Sequence, residues 1–116
     1  METVFRELAA VPEDELAALR ADPAWQGRVA VVHTVTRELR AIAEAALDAE
    51  QAARITVPTL LLTGAESSEP SALEVEAVAA ALPDARIAVL DGQHHVADVL
   101  APEIFVEPVL RFLREE

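Results

Sequence analysis

The sequence predicts an α/β protein with a helical region, residues 1–55, followed by a strand–helix–strand–helix unit, residues 56–116. Two observations predict this class. The first region is rich in Ala, Leu, Glu and Arg, which are strong helix formers, and its apolar residues recur at helical spacing. The second contains two short, continuously apolar runs separated by a helical pattern, which is typical of parallel strands covered on both faces.

Three helical segments are predicted in residues 1–55. Pro12 and the three acids after it have the composition of a first helical turn, and Leu16 and Leu19 follow at helical spacing. Residues 36–53 form a second amphipathic pattern, which includes Ala46. Residues 28–35 are β-branched, which favours a strand, but they lie in a helical context. We interpret them as helix.

Two strands are predicted in the second region. Residues 57–63 are apolar at successive positions and stop at Gly64, and residues 87–90 stop at an Asp-Gly turn. A strand, a crossover helix and a second strand imply a right-handed βαβ unit with a parallel pair. The first strand should keep an unpaired edge unless another strand lies beside it.

The crossover helix is predicted at residues 71–82, and a last helix begins at Pro102. In the crossover helix Val75 and Val78 share one face. The sequence predicts that Glu74 lies away from that face.

Composition excludes several function classes. The formal net charge is −12, which argues against nucleic acid, because such binding rests on Lys and Arg. It also argues against anionic membrane surfaces. Cysteine is absent, so no disulfide or thiolate metal site is expected. Neither a signal-peptide pattern nor an apolar run of roughly 20 residues is visible, and we expect a soluble, cytoplasmic protein.

The motif Asp-Gly-Gln-His-His, residues 91–95, directly follows the second predicted strand. Loops at the carboxyl ends of parallel strands are where open α/β sheets bind ligands, so these histidines are well placed for chemistry. The chain contains no Gly-x-Ser-x-Gly elbow and no cysteine to act as a nucleophile. Adjacent histidines in a turn do not share a face, so no metal site is expected beside Asp91 and Asp98. We expect one part of a catalytic apparatus.

These motifs resemble the C-terminal portion of an α/β-hydrolase. The resemblance rests on Val-Pro-Thr-Leu-Leu-Leu-Thr-Gly at 57–64, Leu-Pro-Asp-Ala-Arg-Ile at 82–87, Gly-Gln-His-His at 92–95, and the Ala-Pro-Glu beyond them. It implies a partial α/β-hydrolase fold, in which residues 57–113 form the last two strand–helix units. The helical region then corresponds to the cap together with the helix that leads into the penultimate strand. The family's N-terminal half, with the nucleophile elbow, has no counterpart in this sequence.

The resemblance also implies roles for individual residues. In the family's Gly-x-Gly-His turn, His95 takes the position of the catalytic histidine, which acts as a general base, and His94 replaces the second glycine. Glycine there permits a backbone geometry that is costly for other residues, so the turn is expected to differ in shape. The position of the catalytic acid falls on Ser67, and Glu66 is the nearest carboxylate, with Glu69 further away. In some members the acid follows an earlier strand. We predict Glu66 as the acid.

The resemblance thus implies a segment of a serine-type hydrolase that acts on an ester or related bond and needs no cofactor. Its small-molecule substrate would be processed only when an N-terminal half complements the chain, which is expected to be inactive alone. Two alternatives stay open. One is a non-catalytic dimerisation or interaction module that homodimerises through the strand edge, and the other is a truncated gene product.

Overall fold

The computed structural model describes residues 1–44 and 48–114, and for residues 69 and 70 it describes the backbone alone. The chain forms two compact units, Met1–Asp48 and Ala49–Glu116. The first is helical and the second contains the strands. The assignment of the helical region to a cap stays a prediction.

The described residues of the first unit form helices, as predicted. Its elements are a π-helical turn at Val4–Leu8, α1 (Glu13–Ala21), α2 (Trp25–Ala30) and α3 (Val32–Glu44). The helical interpretation of residues 28–35 is confirmed, since they lie in α2 and α3 with a break at Val31. The helix predicted over 36–53 is described as far as Glu44, and Ala46 lies outside the described residues.

The core of the first unit lies around α1. Leu16 and Leu19, one turn apart on that helix, are fully buried. Trp25 is also buried and stacks on Phe5, with 6.1 Å between the ring centroids. The apolar spacing read from the sequence therefore corresponds to the buried face of α1.

The second unit has the predicted strand–helix–strand–helix order. Its elements are α4 (Ala49–Ala52), β1 (Thr59–Gly64), α5 (Glu69–Ala81), β2 (Ala85–Leu90), α6 (Ala97–Leu100) and α7 (Pro102–Arg114). The strands pair in parallel, as predicted, in a register that runs from Thr59 opposite Ala85 to Gly64 opposite Leu90. The four-residue helix α6 was not predicted, because one helical turn is too short to show a 3.6-residue period.

Within the described ranges, no helix combines the length and the apolarity that crossing a membrane requires.

Candidate active site

The loops that follow β1 and β2 lie side by side at the carboxyl end of the sheet. The Glu66 backbone N–H donates to the Gln93 carbonyl at 2.9 Å, and the Ala65 N–H donates to the Leu90 carbonyl at 3.0 Å. These bonds fix the loop that carries Glu66 against the loop that carries the two histidines. Parallel strands place their terminal loops at one edge, which is where ligands bind in open α/β sheets.

Gly64 makes this close approach possible. A Cβ atom at this position would lie 2.2 Å from the Gln93 carbonyl oxygen and 2.8 Å from that of His94. Both are backbone atoms, so a larger residue would displace the histidine loop. The glycine that ends β1 therefore sets the distance between the two loops.

The histidine turn needs one left-handed residue, and Gly92 supplies it with a φ of 66°. Among the described residues, Ala10 is the only non-glycine with a positive φ, so His94 has an ordinary backbone conformation. His94, which the resemblance aligned with the second glycine of the Gly-x-Gly-His turn, thus has no backbone strain.

A cavity of about 350 Å³ opens at the carboxyl end of the strands, within the size range of small-molecule sites. Most of its surface is apolar and a few polar groups converge on it. The apolar side chains come from both strands and from α5 and α7: Leu61, Leu62, Val75, Val78, Leu90 and Phe105. The hydroxyl, carboxyl and imidazole side chains are those of Thr63, Ser67, Ser71, Glu74, His94, His95 and Asp98.

The predicted site residues differ in their relation to this cavity. His95 lines it and is exposed, and the half-buried His94 lines it too. Ser67, which the resemblance aligned with the position of the catalytic acid, is also a lining residue. Glu66 is exposed and is not among the described residues that line the cavity. The side chain of Glu69 lies outside the described residues, and the catalytic roles of His95 and Glu66 stay predictions.

Two carboxylates of the cavity were missed as candidate acids. Asp98 lies in the first turn of α6, three residues after His95, and Glu74 lies on α5. Glu74 is exposed, whereas Val75 and Val78 are half-buried, but all three line the cavity. The sequence spacing could have indicated that Glu74 faces the cavity, since Glu74 lies three residues after Ser71 and residues three apart share a helix face.

This arrangement defines the class of protein. A parallel strand pair with its crossover helix, a glycine that ends the first strand and a histidine loop after the second form part of an α/β-hydrolase fold. The chain has this partial fold, which confirms the predicted fold class.

Two solved structures show how much of the fold is present. An α/β hydrolase from Sphaerobacter thermophilus DSM 20745 matches 95% of this chain and 42% of its own, with a TM-score of 0.72 and 26% sequence identity. MenH from S. aureus matches 98% of this chain and 48% of its own, with a TM-score of 0.54 and 20% identity, and this second likeness concerns the fold alone. The chain therefore spans less than half the length of either structure. The sequence matches no protein-family model and no curated protein.

Proposed function

We propose that this chain carries the catalytic-histidine segment of a serine-type hydrolase and acts on an ester or related bond together with the portion of the fold that it does not span. One observation carries the proposal. His95 lines a cavity at the carboxyl end of a parallel strand pair, in a chain that matches a solved α/β hydrolase over 95% of its length.

His95 is the proposed general base. A neutral imidazole takes the proton of a serine hydroxyl as that oxygen attacks the carbonyl carbon, and returns it to the leaving group. The exposed position of His95 leaves the ring accessible to an incoming hydroxyl. The apolar walls of the cavity suit a small molecule with an apolar group next to the bond that is cleaved.

Glu66 is the proposed acid that orients His95 and stabilises the imidazolium form. The hydrogen bond from its backbone N–H to Gln93 holds its loop beside the histidine loop, which favours this role. Asp98 and Glu74 compete for the same role, because they line the cavity with His95.

The nucleophile and the oxyanion-hole amides are proposed to come from the complementing portion, because this sequence contains no Gly-x-Ser-x-Gly elbow. Each oxyanion-hole donor contributes about 10²–10³ in turnover. A chain without these donors and without the serine is expected to have negligible activity alone.

The first test uses the purified chain and 4-nitrophenyl acetate, an activated ester. We expect release of 4-nitrophenolate at the rate of the buffer control. Substantial turnover by the chain alone, abolished by His95→Ala, would show that no complementing portion is needed and would overturn the proposal.

The second test supplies the complementing portion as a hybrid, in which this chain replaces the matched 42% of the Sphaerobacter hydrolase. We expect His95→Ala to lower esterase turnover by about 10⁴-fold or more. The matched control His94→Gly restores the family's Gly-x-Gly-His turn and should retain activity. A folded, active hybrid that is insensitive to His95→Ala would contradict the assignment of the base.

The hybrid also decides the acid. Glu66→Gln is expected to lower turnover by about 10⁴-fold, because the tautomer of the histidine is then no longer fixed. Asp98→Asn and Glu74→Gln are the matched controls and should change it little. The opposite result would assign the role to a carboxylate of the cavity wall.

A second candidate function, a non-catalytic interaction module, is favoured by the open edge of β1. A truncated gene product is distinguished from both by the absence of a cooperative unfolding transition in the purified chain.

A further inference from the structure

The backbone of β1 bonds to β2 through alternate residues. The Thr59 N–H donates to the Asp84 carbonyl at 2.9 Å, and the Ala65 N–H donates to the Leu90 carbonyl at 3.0 Å. Successive residues of a strand direct their N–H and C=O groups to opposite sides, so the even-numbered residues of β1 face the other edge. No described strand pairs with that edge, since the sheet has two strands in the residues that the structure covers.

The two free edges of this sheet differ in charge. Residues 57–64, which include β1, contain no charged residue, and Val57 is 65% exposed. On β2, Arg86 places a guanidinium in the strand, 5.5 Å from the centroid of the Phe112 ring. Charged side chains and proline protect an edge against pairing; near this edge Pro58 is such a residue, but it precedes β1, and Thr59–Gly64 contain neither. The edge of β1 is therefore the one open to association.

We propose that a second copy of this chain covers this edge, with the two β1 strands paired antiparallel across a twofold axis through Leu61. The four strands would then follow the order β2, β1, β1 of the second copy, β2 of the second copy. Leu60 and Leu62 each present one donor and one acceptor, so the edge is complementary to itself. The absence of charge from residues 57–64 lets two acidic chains approach here without like charges in the contact.

The register follows from the hydrogen bonds already present. With the axis on Leu61, Leu60 of one copy pairs with Leu62 of the other, and four N–H···O bonds form. A register centred on Leu62 requires Gly64, whose carbonyl already accepts from the Ser67 N–H at 3.1 Å. The register centred on Leu61 is favoured, because it uses the N–H and C=O groups of Leu60 and Leu62, which face away from β2.

The dimer bears on the candidate active site. Leu61 and Leu62 line the cavity that His95 also lines, so pairing of the two β1 strands covers part of it and occupies the edge next to it. Dimerisation would thus compete with binding of the complementing portion. This consequence rests on the function proposed above, whereas the dimer itself does not.

The first experiment measures the mass of the purified chain by size-exclusion chromatography with light scattering over a range of concentrations. We expect a shift from one chain mass to two as concentration rises. Leu62→Pro removes a donor from the β1 edge and should give a monomer throughout. Ile87→Pro is the matched control, because Ile87 faces the outer edge of β2, and it should dimerise normally.

Two results overturn the proposal. One is a wild-type chain that stays monomeric at every concentration, which would leave the edge to a different partner such as the complementing portion. The other is a dimer that Ile87→Pro disrupts and Leu62→Pro does not.

A second experiment changes no backbone group and uses the absence of cysteine from the chain. Leu61→Cys places a single thiol on the twofold axis, within the roughly 4.4–6.8 Å Cα separation that a disulfide spans. Mild oxidation should cross-link this variant into a dimer, whereas the control Ile87→Cys should stay largely monomeric. Equal cross-linking of the two variants would overturn the register and the interface.

The dimer and the hydrolase function fail separately. If the chain dimerises through β1 but the folded hybrid is inactive, the dimer is supported and the proposed function is contradicted. If the hybrid is active but the isolated chain is monomeric, the proposed function is supported and the dimer is contradicted. If both hold, Leu61→Cys should cross-link in the isolated chain and not in the hybrid, where the edge is occupied.

Discussion

Helix α1 and the two strands of this chain differ in how fully they bury their apolar residues. In Met1–Asp48, Leu16 and Leu19 are fully buried on one face of α1. In Ala49–Glu116, every residue of β1 is only partly buried, and on β2 Ile87 and Val89 are 41% and 57% exposed. The strands that border the candidate site are therefore less completely buried than the apolar face of α1.

The cause of the difference lies in the secondary structure. A helix buries a stripe of residues against its neighbours, and α1 does so with two leucines one turn apart. A parallel strand must be covered on both faces and paired on both edges, and a two-stranded sheet is marginal by itself. The second unit is therefore suited to association, whether with a second copy or with the rest of a hydrolase sheet.

The largest effect is expected at the core of the first unit. Leu16→Ala removes a fully buried side chain and should destabilise this unit by about 2–5 kcal/mol. Leu39→Ala is the matched control, because Leu39 is 41% exposed on α3, and it should cost far less. Urea denaturation followed by circular dichroism measures both. If the two variants lost the same free energy of unfolding, the buried Leu16 would contribute no more to stability than the exposed Leu39, and the prediction would be wrong.

The contact between the loops of the second unit gives the next largest effect. Gly64→Ala places a methyl group against the Gln93 carbonyl and should cost about 1–3 kcal/mol, as overpacking does. The control Gly27→Ala, in α2 of the first unit, meets no atom within 4 Å and should stabilise its helix by about 0.5–1 kcal/mol. The same denaturation experiment compares them. A neutral Gly64→Ala would mean that the histidine loop moves freely, and the site would be less rigid than described.

Sequence reasoning predicted the elements whose pattern is local. The periodic leucines of α1, the apolar run of β1 and the Asp-Gly turn after β2 each carry their signal within a few residues, and each lies where it was expected. The relation between Glu66 and the cavity was beyond that reasoning, because it depends on the direction of side chains in two loops that meet in space. The same holds for Asp98 and Glu74, which reach the cavity from different helices.

The smallest expected effect concerns the surface charges of the first unit. Glu13 accepts hydrogen bonds from Arg6 and from Arg20, both at 2.9 Å. The bond from Arg6 holds the pKa of the Glu13 carboxyl below its usual value. Since the pKa is lower in the folded state, the pair stabilises the fold above the unfolded-state pKa, and this contribution is lost as pH falls through the folded-state pKa.

The test is Glu13→Gln, with denaturation measured at a series of pH values. Because both partners are exposed, the loss of stability near neutral pH should be small, and it should shrink towards zero below the usual carboxyl range of about pH 4. Glu76→Gln, at an exposed position on α5 of the second unit, is the matched control for the loss of one surface carboxylate. A loss that grows as pH falls would have the wrong sign, and the ion pairs of Glu13 with Arg6 and Arg20 would then not stabilise the first unit.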